Sequence, residues 1–233
     1  MNNFIYKKRN DEFINILYLH GWRQTKESLY CIDEELKTFS NSIFIDLPPY
    51  LKENFYLDGM DNYLDFLLNI LMKNKITKID LIIAHSFGGK LALEYCLKVQ
   101  SCPLVLCAPS IVKDNSFIMF MKRILYKMIN ILHLRKYINI KGSEDYQVCK
   151  KNFLYKKNFL SVVNTYYEKD LKNIESNVLL LRGKDDNQIT LNQCKTVKKK
   201  IKNCVFVQTE GNHFSYKRSI DEIKTFVLKE INK

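Results

Sequence analysis

A chain of 233 residues, 46% of them hydrophobic, can bury a large core and fits one domain carrying an insertion. No run approaches the roughly 18 uninterrupted apolar residues of a membrane span, so stable membrane insertion is not expected. The net charge of +12 suits nucleic acid, an anionic membrane or an acidic protein partner, and equally a drift of composition toward Lys, Asn and Ile.

No zinc-ligand spacing, RNP-like strand or basic zipper accompanies that charge, so nucleic acid is not an expected partner. The N-terminus, MNNFIYKKRND, lacks an apolar h-region and is not read as a secretory signal. Seven cysteines, an odd number without CxxC or Cys/His spacing, suggest reduced thiols in a cytoplasmic protein. Four scattered histidines form no HExxH-like cluster, and no Walker loop or GxGxxG is present. Neither a metal nor a cofactor is therefore expected.

Taken in order, Ile14 to Leu19 (INILYL) reads as a buried strand that ends in His20-Gly21-Trp22. A helix is predicted over Glu27 to Phe39, a strand over Ser42 to Leu47 and an amphipathic helix over Met60 to Lys73. Ile79 to Ala84 is the next strand, and Lys90 to Leu97 has helical spacing. Strands follow at Pro103 to Ala108, Val178 to Leu181 and Val205 to Gln208, with helices at Leu191 to Lys202 and Ser219 to Ile231. Strands alternating with helices predict a parallel sheet covered on both faces, with reactive residues at the strands' carboxyl ends. The interruption, 111–175, shows helical patterning and no strong strand, and is expected to form a helical cap. It holds 13 lysines and arginines against 6 acidic residues, a balance of +7.

Between the fourth predicted strand and its helix sits Ala84-His85-Ser86-Phe87-Gly88-Gly89. A serine on so tight a turn takes a strained backbone and lifts its hydroxyl clear of the sheet. Small residues are needed two before and two after it, and Ala84 and Gly88 satisfy this. Ser86 is thus the candidate nucleophile. Such a fold orders its partners acid, then histidine, after the serine. His213, in Glu210-Gly211-Asn212-His213-Phe214 after the last strand, fits the base, although an isolated loop histidine is commonly just solvated. Asp185 and Asp186 both follow the preceding strand; the spacing Gly183-x-x-Asp186 favours Asp186, leaving Asp185 as a turn residue. Backbone N–H groups of Phe87 and Trp22 are the candidate oxyanion donors. The Trp22 ring suits either the wall of an acyl pocket or the core. His20 is expected to organise its loop, His85 to point away from Ser86, Asp46 to serve a turn or cap, and Cys107 to fill core.

These residues make the chain resemble the α/β-hydrolases. LHGWRQTKESLYCIDEEL, residues 19–36, resembles more closely the start of the pimeloyl-[acyl-carrier protein] methyl ester esterase family, carboxylesterases of biotin synthesis. DLKNIESNVLLLRGKDD, residues 170–186, is a weaker echo of it. Arg23 stands where a glycine is usual. The resemblance implies hydrolysis of the methyl ester of a pimeloyl chain on acyl carrier protein, with Ser86, Asp186 and His213 as triad and Trp22 with Phe87 as oxyanion hole. It also implies that basic residues of the cap hold the acidic carrier. Candidates are Lys122, Arg123, Lys127, Arg135, Lys136, Lys150, Lys151, Lys156 and Lys157. The competing readings are a broad carboxylesterase or acylglycerol lipase whose basic cap touches anionic membrane, and a silent binding protein on the same scaffold. The enzyme is expected to act as a monomer.

Overall fold

The computed structural model describes residues 3–48, 55–115, 144–149 and 152–232. Seven strands form one sheet in the order β1-β3-β2-β4-β5-β6-β7. They are β1 (Phe4–Lys7), β2 (Ile14–Leu19), β3 (Ser40–Ile45), β4 (Leu81–His85), β5 (Leu104–Cys107), β6 (Val178–Gly183) and β7 (Cys204–Thr209). All neighbouring pairs are parallel except β1 with β3, where Phe4 faces Ile45 and Lys7 faces Ser42.

Alternation along the strands supplies both faces with apolar side chains. Leu17 and Leu19 of β2 join Ile43 and Ile45 of β3 beneath α2 (Gly59–Lys73) and α3 (Gly88–Lys98), while α6 (Leu191–Lys200) adds Cys194 and Val197. Ile16 and Tyr18 point the other way with Phe44, Ile83 and Cys107. That face is covered by Ile32 and Leu36 of α1 (Tyr30–Leu36) and by Ile223 and Val227 of α7 (Ile220–Ile231). Cys107 is therefore a core residue, buried in β5.

One element was not foreseen and one expectation needs correction. The basic N-terminus contributes an edge strand, and its charges are held by the fully buried Asp33 of α1. Lys7 Nζ donates to Asp33 Oδ2 at 2.8 Å, and Arg9 Nη2 donates to both carboxylate oxygens at 2.9 Å. Burial alone would raise the Asp33 pKa, but hydrogen bonds from Lys7, Ser42 and Arg9 bring it below the ordinary carboxylate range. The helix predicted from Glu27 to Phe39 is also shorter. Residues Lys26–Leu29 form a 3₁₀ turn, because Asp46 accepts the Lys26 backbone N–H at 2.8 Å and also its ammonium. Asp46 thus secures this turn.

The described part of the expected cap contains α4 (Glu144–Cys149) and α5 (Phe153–Val162). Lys122, Arg123, Lys127, Arg135, Lys136, Lys150 and Lys151 lie outside the described residues. Near its two ends the segment packs with the core: Ile111, Val112, Leu171 and Ile174 are buried, and the Tyr167 N–H donates to the Ile111 carbonyl at 2.9 Å. Asn158, fully buried on α5, accepts from the Leu57 N–H at 3.1 Å and the Tyr63 hydroxyl at 3.2 Å. Lys90 of α3 reaches under the other end of α5. Its ammonium donates to the carbonyls of Val162 at 2.7 Å and Val163 at 3.2 Å. Burial pushes the Lys90 pKa down to about 7, against the favourable end of the helix dipole. No helix among the described residues is long and apolar enough to cross a membrane.

Candidate active site

Ser86 lies directly between β4 and α3 with φ +48°, a left-handed conformation that non-glycine residues rarely take. The turn is held from both sides. The Ser86 N–H donates to the Cys107 carbonyl at 2.9 Å, while its own carbonyl accepts from Gly89 at 3.1 Å and Ser110 at 3.2 Å. At Gly88 a β-carbon would stand 2.2 Å from the Leu19 carbonyl oxygen, so only glycine lets α3 start this close to β2. Ser86 remains partly accessible, and Phe87 behind it is buried. The first N–H groups of a helix have no partner within it, so this end of α3 is suited to an oxyanion.

His213 and Asp186 meet. His213 Nδ1 lies 3.0 Å from Asp186 Oδ2 in a buried contact. The second carboxylate oxygen, Oδ1, accepts the N–H groups of Gln188 at 2.8 Å and Ile189 at 3.0 Å. Burial disfavours the carboxylate, yet the hydrogen bond to His213, with those two N–H groups, holds its pKa below the ordinary value. An ionised Asp186 keeps the His213 proton on Nδ1 and leaves Nε2 with a lone pair, as a general base requires. Asp185 is exposed.

The Trp22 ring is half-buried within an aromatic cluster. Its centroid is 5.1 Å from that of Phe87 and 5.5 Å from that of Phe159 on α5, and Tyr63 of α2 lies 5.2 Å from Phe87. The indole N–H donates to Cys149 Sγ on α4 at 3.2 Å. Arg23 takes φ +61°, the left-handed region that favours glycine, and its guanidinium approaches Asp145 at 3.4 Å. The loop after β2 is therefore tied to α4 by two side chains. His20 fixes the same loop: Nδ1 lies 2.8 Å from the Gly21 carbonyl, and Nε2 accepts the Leu47 N–H at 2.9 Å. Burial lowers its pKa, so the ring is neutral with its proton on Nδ1.

The sequence matches no protein-family model and no curated protein. Solved structures do match over nearly the whole chain. MenH from S. aureus superposes with a TM-score of 0.71 at 19% identity, covering 100% of this chain and 98% of that one. A hydrolase from Pseudomonas aeruginosa PA01 gives 0.73 at 13% identity, covering 99% and 94%. A lipase-esterase related protein from Clostridium acetobutylicum ATCC 824 gives 0.70 at 19% identity, covering 96% and 98%. The chain has the α/β-hydrolase fold.

Three residues that the sequence reading left without such roles organise this α/β-hydrolase site. The ring nitrogens of His85 lie 2.7 Å from Gln24 Oε1 and 2.9 Å from the His213 carbonyl oxygen. Gln24 Oε1 also accepts the Gly21 N–H at 2.7 Å. His85 thus bridges the loop after β2 to the His213 loop, with its ring 4.8 Å from that of His213. Burial, and then the neighbouring His213, push the His85 pKa down to about 3, so at neutral pH the ring has a single N–H, which only one of these two oxygens can accept. Arg182, buried at the end of β6, binds the acid's loop: Nη2 donates to the Asp186 carbonyl at 2.8 Å and Nε to that of Ile189 at 2.7 Å. An arginine inside the run VLLLRG signals such a role, because a buried guanidinium needs partners.

Gly183 brings the Asp186 and His213 loops together. A β-carbon there would stand 2.2 Å from the Gly211 carbonyl oxygen and 2.3 Å from that of Asn212, both backbone atoms. Gly183→Ala should therefore part the loops, destabilising the protein by ~1–3 kcal/mol and lowering Tm by several degrees. Turnover should fall ~10²-fold as His213 is displaced from its working position. A variant that melts and turns over like the wild type would show that this approach does not set the geometry.

Proposed function

We propose that this protein is a serine carboxylesterase that cleaves the methyl ester of pimeloyl-[acyl-carrier protein], giving pimeloyl-[acyl-carrier protein] and methanol. The observation that carries the hydrolase part is the buried Asp186–His213 pair, at 3.0 Å, in a fold with Ser86 on a strained elbow. Ser86 Oγ attacks the ester carbonyl while His213 Nε2 takes its proton, and the resulting oxyanion is received by the N–H groups of Phe87 and Trp22. The imidazolium returns the proton to the departing methoxide. Water, deprotonated by the same nitrogen, then attacks the acyl-serine and releases the carboxylate.

The substrate part rests on the resemblance of residues 19–36 and on the charge of the cap. Within that stretch Trp22 reaches the aromatic cluster beside Ser86, whereas Asp33 serves the β1–α1 junction through Lys7 and Arg9. Trp22 is therefore the residue of the stretch placed to touch an acyl chain. Of the basic candidates, Lys157 is exposed on α5 with its ammonium 3.8 Å from the Tyr56 ring centroid, and Lys156 is half-exposed. Basic charge above Ser86 would steer a small acidic carrier and orient its phosphopantetheine arm.

Reversing Lys156 and Lys157 together to glutamate should lower kcat/KM for the carrier-bound ester roughly tenfold. A small neutral ester should still be cleaved at the wild-type rate. Salt at about 0.5 M should reproduce the pattern in the wild-type protein, because the screening length falls well below 10 Å. Carrier-bound activity indifferent to both salt and charge reversal would remove the carrier assignment. A second reading, an acylglycerol lipase, is favoured by the exposed apolar side chains of α5, Phe153 at 77% and Leu160 at 50% accessible. It predicts activity raised by anionic vesicles and unaffected by carrier protein.

A further inference from the structure

Cys96 and Cys102 are the one cysteine pair among the described residues with sulfurs in hydrogen-bond contact: Sγ to Sγ is 3.8 Å. Cys96 lies in the last turn of α3, the helix that begins behind Ser86, and Cys102 precedes β5. The Cys96 sulfur also lies 3.7 Å from the Cys102 carbonyl oxygen. Cys96 is partly accessible, while Cys102 is 3% exposed. The connection between them is held down: the N–H groups of Val99 and Gln100 donate to the Tyr95 carbonyl, and the Gln100 amide donates to that of Ile79 at 3.1 Å.

We propose that Cys96 and Cys102 are a reversible oxidation site, closed to a disulfide by hydrogen peroxide, that staples the end of the nucleophile helix to the sheet. The Cys96 thiolate attacks one peroxide oxygen, the O–O bond breaks, and Cys96 becomes a sulfenic acid as the second oxygen leaves as water. The Cys102 sulfur then attacks the Cys96 sulfur, the S–O bond breaks and a second water departs. Two electrons pass from the two thiols to the peroxide, and both thiol protons end in water. Each cysteine has its own task. Cys96, the accessible sulfur of the pair, meets the peroxide first, while the buried Cys102 behind it is the resolving thiol. The sulfurs already stand 3.8 Å apart at a helix end, so no third group has to be displaced from between them.

Cys31 supplies an internal comparison. It is also partly accessible, but burial raises its pKa, and its sulfur points to the Ser28 carbonyl at 3.9 Å rather than to another thiol. Treating the whole protein with stoichiometric hydrogen peroxide, alkylating the remaining thiols and digesting with trypsin should link peptide 91–98 to peptide 99–113. Fragment ions should place the bond at Cys102 and not at Cys107, and dithiothreitol should release it. Cys31 should be recovered alkylated. Oxidation should raise Tm by about 5 °C, as expected for a short loop closed in a protein of this size. Cys102→Ser should stop at a Cys96 sulfenic acid that dimedone captures. Oxidation of Cys31 before Cys96, a link to any other cysteine, or Cys96 passing to sulfinic acid in the wild type without a link would each overturn the proposal. The wild-type peptide map decides the matter even if a variant folds poorly.

Discussion

Asp186→Asn should cost ~10⁴-fold in ester turnover, and Asp185→Asn almost nothing. The two neighbours differ in placement and not in chemistry. Asp186 is buried, with one carboxylate oxygen on His213 and the other on two backbone N–H groups, whereas Asp185 faces solvent. An asparagine at 186 could keep the backbone bonds through its carbonyl but would present its NH₂ group to His213. Nδ1 would then act as acceptor, moving the proton to Nε2, the atom that must deprotonate Ser86. Binding should survive, so the loss should appear in kcat with KM little changed. The assay is steady-state hydrolysis of a p-nitrophenyl ester. An equal loss in both variants, or the larger one at 185, would remove Asp186 from the role given to it here.

Ser86→Ala and His213→Ala should each lower turnover at least ~10³-fold, and the double variant should be scarcely worse, since triad members act as a unit. A fluorophosphonate should label the wild-type protein once, on Ser86, and should fail to label His213→Ala at a comparable rate. The elbow geometry adds a structural condition. Ser86 holds a left-handed backbone, which alanine tolerates about as poorly, so the alanine variant should melt close to the wild type. Retained turnover in a folded Ser86→Ala variant would place the chemistry elsewhere, and absence of turnover and labelling in the wild type would leave the binding-protein reading standing.

Much of this architecture is legible in residue order because its central strands are apolar on both faces. INILYL coincides with β2, and VLLL lies inside β6. The nucleophile turn is legible for a related reason: Gly88 is forced by the approach of α3 to the Leu19 carbonyl, and such constraints leave a spacing in the sequence. The edge strand β1 leaves little trace, since its four residues include a lysine and adjoin a run of charge that only the buried Asp33 explains. The loss of the first turn of α1 was equally hidden, because the Asp46 that captures the Lys26 N–H lies 20 residues away. In the site, order along the chain separates Asp186 from Asp185 only through the Gly183 spacing. The roles of Gln24 and His85 depend on which loops become neighbours, and no local pattern carries that.

The bridge made by His85 also has a bearing on how the molecule comes into being. Its hydrogen bond to the His213 carbonyl joins residues 128 apart in the chain, and Gln24 reaches Tyr216 across 192. Contacts that close so late dominate the slow part of folding, because the entropy of closing a long loop is lost before any contact compensates for it. During synthesis the elbow of Ser86 and the loop of Gln24 leave the ribosome well before β7 and the base. On the proposed reading, Ser86, Asp186 and His213 come together only after the loop following β7 has emerged, with α7 still to follow.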